Sequence, residues 1–244
     1  MLRALRQDGS KTDYNLRRGH SFSAFLAALA FCASLPCSAA SIIVDSGHTP
    51  RHPGATGASG RVEYLYNLDL GAALKKDLEA TGDRVTRTSA DGKEISLESR
   101  PQAAPDADFF ISIHHDSIQQ QWIDAGRRSE FSGYAIFVSE RNPRYNESLL
   151  CAKEIGRRLL AAGEHPSLYH ATPIDGENRP VIDRELGIHR YDNLVVLKTA
   201  PMPAVLVEAG VIANPAEEKR LAQPDTIQHL AAAIAGGVHA CQTH

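Results

Sequence analysis

Three apolar runs in this sequence end in side chains that can hold a metal ion or move a proton. IIVDSGH (Ile42–His48) closes on Asp45 and His48. FFISIHHDS (Phe109–Ser117) breaks into His114, His115 and Asp116. AVLVEAG (Ala204–Gly210) places Glu208 directly after its run. Two imidazoles and a carboxylate, with a fourth position left open, have the composition of a catalytic zinc site. Zinc takes neutral imidazole nitrogen and carboxylate oxygen at roughly 2.0–2.2 Å, whereas structural sites draw more often on thiolates. No CxxC occurs here. At the open position water is acidified to near neutrality and becomes a nucleophile. A carboxylate outside the ligand set can then accept its proton. Glu63 and Glu208 compete for these two roles, and spacing alone does not divide them. There is no local HExxH signature.

Neighbouring side chains of a strand point to opposite faces, so only one of His114 and His115 is expected at such a metal. His114 is the better choice, because it continues the face of Ser112, opposite Ile111 and Ile113. Asp45 reads as either a residue that orients a ligand or a turn-forming aspartate. Arg100 reads as a tie between a helix and the sheet, with contact to a substrate carboxylate as the alternative. His52 and His189 fall in expected loops near the strand ends and are candidates for contact with substrate. His165, His170, His229, His239 and His244 are read as ordinary core or surface histidines.

These side chains need elements to carry them. Ile42–Asp45 reads as a buried strand and Ser46–Arg61, rich in Gly, Pro and small polar residues, as a loop. From Val62 to Thr81 the apolar spacing is helical, with Leu70, Leu74 and Leu78 in line and Gly82 as a stop. Glu63 opens this helix and Asn67 lies one turn on, on the same face. Asp83–Thr88, Asp108–His114, Gly133–Ser139, Asn193–Lys198 and Ala204–Glu208 are expected strands. Ser96–Ala104, Pro143–Ala162, Pro215–Leu221 and Pro224–His239 are expected helices. Ile118–Ser132 and Glu164–Glu185 are expected to be irregular. Strands alternating with helices predict an α/β fold: a single domain with a mostly parallel or mixed central sheet flanked by helices. In such sheets ligands bind at the carboxyl ends of the strands, where His48, His114 and Glu208 would all lie.

The chain has 244 residues with a formal net charge of −3, so no basic field points to nucleic acid. Residues 1–40 differ from the rest. Arg17 and Arg18 precede the apolar run Phe22–Leu35, and Ser38 and Ala40 are small residues suited to a cleavage site, the layout of a signal peptide. The run is a poor membrane span, so no span is expected after its removal. The arginine pair also matches the start of a twin-arginine export signal, although Gly19-His20-Ser21 after it are not the apolar residues such a signal calls for. The domain expectation is therefore a signal peptide over 1–40 and one catalytic domain over 41–244, exported to the periplasm or cell wall. Five of the 26 basic and two of the 29 acidic side chains fall in the first forty residues, which leaves the remainder formally −6. Cys151 and Cys241 remain; in an exported protein they could pair or stay as separate buried thiols.

The ordered set IIVDSGH, PGATG, Glu63 with Asn67, SLESR, FFISIHHDS and PAVLVEAGVIANPAEEKRL resembles the zinc-dependent N-acetylmuramoyl-L-alanine amidases of the third amidase family, from about Ile42 to Cys241. The resemblance implies that His48, Glu63 and His114 bind one zinc ion and that Glu208 is the catalytic glutamate. It also implies that the substrate is peptidoglycan, cut between N-acetylmuramic acid and L-alanine. Thr49-Pro50-Arg51-His52 stand where the family usually has glycines, which bears on substrate detail. Members involved in cell separation carry a helical insert that plugs the site. Here only Ile118–Ser132 occupies that region, so an enzyme without that plug is expected. No appended wall-binding module is seen, so targeting would come from the catalytic domain or from partners; a protein activator is left open. The competing readings are another zinc-dependent peptidase or deacetylase of the cell wall, and a non-catalytic wall-binding protein on the same scaffold.

Overall fold

A computed structural model describes residues 39–242. The expected signal peptide lies almost wholly outside them. The elements run β1 (Ser41–Ser46), α1 (Glu63–Ala80), β2 (Arg84–Thr88), β3 (Phe109–Asp116), α2 (Gln120–Asp124), β4 (Ala135–Val138), α3 (Tyr145–Ala161), β5 (Val181–Asp183), β6 (Ile188–Arg190), α4 (Val195–Lys198), β7 (Ala204–Val211), α5 (Pro215–Leu221) and α6 (Pro224–Gln242). Seven strands form one sheet in the order β2-β1-β3-β7-β4-β6-β5. Its centre, β2 to β7, is parallel, as is the pair β4–β6; β4 runs antiparallel to β7 and β5 to β6. This is the mixed sheet flanked by helices that the sequence predicts.

Period-two alternation divides the strands between two cores. Ile42, Val44, Phe109, Ile111, Ile113, Val205 and Val207 face the larger core, under α1, α3 and α6. Ile43, Phe110, Ala204 and Leu206 face a smaller one, with Val196, Leu197 and Met202. The same alternation carries Asp45, Ser112, His114 and Glu208 onto this second face. Cys151 of α3 and Cys241 of α6 form a disulfide across the larger layer. The open question of their pairing is thereby answered.

Several expected elements need correction. Asn193–Lys198 is not a strand; its centre forms the short helix α4, closed by Lys198 N donating to Leu194 O. Both flanks of β4 are already taken by β7 and β6, and Val196 and Leu197 are instead buried against the sheet face. A four-residue apolar run has too little periodicity to separate the two outcomes. The segment read as irregular to Glu185 contains β5, and β6 follows it. Both are three-residue strands that extend the sheet edge. The helix expected over Ser96–Ala104 is reduced to turns and a single 3-10 turn at Arg100–Gln102.

Candidate metal centre

The carboxyl ends of β1 and β3 and the first turn of α1 meet at one point. His48 follows β1 in a tight turn that Gly47 N pins to Ile113 O. His48 itself has φ +71°, a left-handed conformation that costs a non-glycine residue energy and recurs at functional sites. Arg100, buried at 3% exposure, braces this turn. Its Nη1 donates to Asp45 Oδ1 (3.1 Å) and to Ser46 O, and its Nη2 to His48 O (3.1 Å). Asp45 is fully buried and also accepts from Thr88 Oγ1 and Ser112 Oγ. Arg100 is thus structural, and Asp45 acts on the His48 turn through it.

Glu63 is the first residue of α1, where the helix dipole favours a carboxylate. Its Oε2 lies 3.0 Å from His48 Nε2 and its Oε1 2.9 Å from His114 Nδ1. Ala55 N and Asn67 Nδ2 donate to the same carboxylate. Burial pushes the Glu63 carboxyl up, but its bonds to the two imidazoles outweigh this and hold it well below the usual carboxylate range. The His48 and His114 rings meet edge to face at 4.9 Å. One donor atom from each of the three residues lies within 4.8 Å of the others.

Two glycines keep this space clear. A Cβ on Gly47 would lie 2.2 Å from His114 Nε2, and one on Gly54 2.3 Å from Glu63 Oε2. Two imidazole nitrogens and a carboxylate oxygen, gathered with one side facing a cavity of about 300 Å³, fit a zinc ion in donor type and in closeness.

His115 points the other way. It is 2% exposed, and its Nδ1 is 2.8 Å from Asn67 Oδ1. Burial pushes this imidazole down to about 3, so it is neutral and donates to the asparagine. Asn67 in turn donates to Glu63 and to Gly47 O. His115 therefore holds Asn67 behind the cluster, and its imidazole adds no metal ligand to it.

Glu208 lies across from His114 on β7 and lines the same cavity. Its Oε2 is buried without a hydrogen-bond partner. Burial pushes its carboxyl well up, the charges of Asp116 and Glu63 add to this, and His170 opposes it. Asp116 and Glu177 also line the cavity, and His170 bridges them. Of these three only Asp116 stands at a strand end that the sequence singles out; His170 and Glu177 carry no distinguishing signal. Asp116 adjoins the histidine pair, but His170 and Glu177 sit in a proline-containing segment far along the chain. The other two loop candidates lie elsewhere. His52 is exposed and meets Glu94. His189 is not in a loop: it belongs to β6 and is fully buried, with Nε2 on Ser167 O. Ile118–Ser132, expected to be irregular, instead contains α2 and a 3-10 turn, packed through Trp122 and Phe131 beside Tyr169.

Among known proteins, the chain is 29% identical over 214 residues to the N-acetylmuramoyl-L-alanine amidase AmiC of Neisseria meningitidis, covering 81% of this chain and 51% of that one. It is 27% identical over 205 residues to the probable cell wall amidase LytH of Staphylococcus aureus, covering 83% and 58%. The chain thus spans little more than half the length of these relatives. The solved catalytic domain of CwlV, an N-acetylmuramoyl-L-alanine amidase of Bacillus (Paenibacillus) polymyxa var. colistinus, superposes with a TM-score of 0.63 at 26% identity, over 82% of this chain and 96% of that one. Residues 42–240 match the model of a single family, and with the fold and the cluster at its strand ends this chain belongs to the N-acetylmuramoyl-L-alanine amidase family.

Proposed function

We propose that this protein is a zinc-dependent N-acetylmuramoyl-L-alanine amidase of the cell wall. On this reading His48, Glu63 and His114 hold one zinc ion and Glu208 is the catalytic acid–base. The reading is carried by the convergence of these three donors beside a carboxylate whose buried oxygen Oε2 is unpartnered. Family membership supplies the bond: the amide between the lactyl group of N-acetylmuramic acid and L-alanine. The residues before Ser41 are read as an export signal, which would deliver the enzyme to peptidoglycan. No helix among the described residues is long and apolar enough to cross a membrane.

Zinc bound there would polarise the scissile carbonyl and acidify water. The residues of the chain divide the remaining work. Glu208, made more basic by burial, accepts the proton of the attacking water and returns it to the departing alanine nitrogen, which is too basic to leave unprotonated. Glu63 would serve as the carboxylate ligand, held in place by Ala55 N and Asn67 Nδ2. Asn67 and His115 fix its carboxylate from behind, and Asp45 with Arg100 fix the backbone of His48.

The test is digestion of purified wall sacculi with and without a chelator. The expected products are stem peptides with free L-alanine amino ends and intact glycan strands, lost on chelation. Cuts inside the stem peptide, or released acetate, would instead identify a peptidase or a deacetylase. Tight binding to sacculi with no product would identify a wall-binding protein.

A further inference from the structure

Beyond Glu208 the cavity wall contains a group of charges that the mechanism above does not use. His170 sits on the 3-10 turn Tyr169–Ala171, in the segment between α3 and β5. Its Nε2 lies 2.8 Å from Asp116 Oδ2 and its Nδ1 2.8 Å from Glu177 Oε2. The imidazole is 13% exposed and packs edge-on against Phe137 of β4 at 4.8 Å. Asp116 ends β3, two residues past His114, and Glu177 lies seven residues along the same segment as His170. Both carboxylates line the cavity that holds His48, Glu63, His114 and Glu208. The segment is tied to the end of β3 a second time, through Gln119 N donating to Tyr169 Oη at 2.8 Å.

An imidazole with a carboxylate on each nitrogen satisfies both only when both nitrogens carry protons. We propose that His170 is a positioning residue, a buried cation that clamps Asp116 and Glu177 together and so fixes the segment around Glu177 as the substrate-binding wall beside Glu208. The charges facing it are those of Asp116 from β3, Glu177 from its own segment and Glu208 from β7. His189 of β6 and Tyr169 stand beside it. Burial alone would push the imidazole down, but the charge of Asp116 and the bonds to both carboxylates outweigh it and raise His170 to about 10. Without the clamp, two carboxylates would face the cavity uncompensated and one edge of the segment would be freed.

This role rests on the amidase reading, and the test keeps the two separable. Wild-type protein, H170Q, E177Q and the double variant are compared by kcat and KM on soluble muropeptide. Imidazole nitrogens of the wild type are followed by NMR at a pH well above the ordinary histidine value of about 6.5. The expected NMR result is a His170 ring protonated on both nitrogens, absent from H170Q. The expected kinetic result is that H170Q raises KM about ten-fold with kcat little changed, and that the double variant is no worse than H170Q, as for a coupled pair. A neutral His170 ring in the wild type, additive effects of the two substitutions, or an unchanged KM in H170Q would each overturn the clamp while leaving the amidase reading intact. Wild-type protein that releases no product would overturn the amidase reading and, with it, this role in binding substrate.

Discussion

His114 and Glu208 stand directly opposite one another on the adjacent parallel strands β3 and β7. Strands in a sheet lie about 4.8 Å apart, so backbone pairing, not a flexible loop, sets the distance between a proposed zinc ligand and the proposed acid–base. On its other side Glu208 is paired with Ala135 of β4, whose small side chain leaves the carboxylate room. Glu208→Gln keeps the shape and removes the proton acceptor. Hydrolysis of sacculi should fall about 10²- to 10⁴-fold, with zinc content and melting temperature retained. A variant that lost its zinc would show instead that Glu208 belongs to the ligand set.

The two neighbouring histidines should separate cleanly. His114→Ala removes a donor 2.9 Å from Glu63 and should abolish zinc retention in metal analysis after dialysis. His115→Ala should keep zinc but lose roughly 2–4 kcal/mol of stability, because it opens a cavity and strands the Asn67 oxygen. Zinc loss in His115→Ala with retention in His114→Ala would reverse the assignment.

That pair also marks how much of the site could be read from the sequence. Strand alternation separates His114 from His115, because the strand is buried on both faces and each side chain must commit to one. The resemblance of the ordered motifs divided Glu63 from Glu208, a choice that spacing left open. The cation between Asp116 and Glu177 was not legible: His170 is far from both strand ends in sequence and its segment carries no periodicity. The α4 run failed for a related reason. Its apolar residues cover a sheet face whose neighbouring strand positions were filled by β6, a three-residue strand too short to leave a pattern.

Arg100 and Asp45 form a buried ion pair, 4% and 0% exposed at the side chain. Breaking such a pair from one side leaves an uncompensated charge and costs about 3–5 kcal/mol. Arg100→Met should therefore lower the urea midpoint strongly. It should also weaken zinc binding, since Arg100 holds the His48 carbonyl. An equal loss of stability with unaltered zinc affinity would separate the brace from the metal.

His170 gives stability a pH dependence of known sign. Its folded value is raised to about 10, above the unfolded value of about 6.5. The folded state therefore binds the extra proton between these values, and stability falls as pH rises through that window. The contribution is fully present below about 6.5 and lost above about 10. The stability difference between wild type and H170Q, from urea unfolding, should shrink from neutral to alkaline pH. A difference that stayed flat would mean that the imidazole is neutral in the fold.

The Cys151–Cys241 disulfide joins α3 to α6 across 90 residues of chain. Closing a loop of that length restricts the unfolded ensemble by about 4–5 kcal/mol in the chain-entropy model. Neither cysteine lines the cavity that holds the metal donors. Replacing both by alanine should lower the melting temperature. Zinc stoichiometry and the rate of hydrolysis well below that temperature should stay at wild-type levels. A matching loss of zinc would mean that the helical layer transmits strain through the sheet to the strand ends.

Gly47 offers the sharpest test of whether the three donors enclose an ion. Its backbone passes so close to His114 that a Cβ would lie 2.2 Å from Nε2 and 2.3 Å from Cε1. Its φ does not lie in the left-handed region, so Gly47→Ala adds bulk without forcing the backbone. The added methyl must displace the His114 ring from its present place beside Glu63 and His48. The turn remains tied by Gly47 N to Ile113 O, so the fold should survive by circular dichroism. Zinc affinity should fall about ten-fold or more, the scale seen when a ligand is misoriented, and hydrolysis should fall with it. Unchanged affinity in Gly47→Ala would mean that the ion does not depend on the orientation of His114.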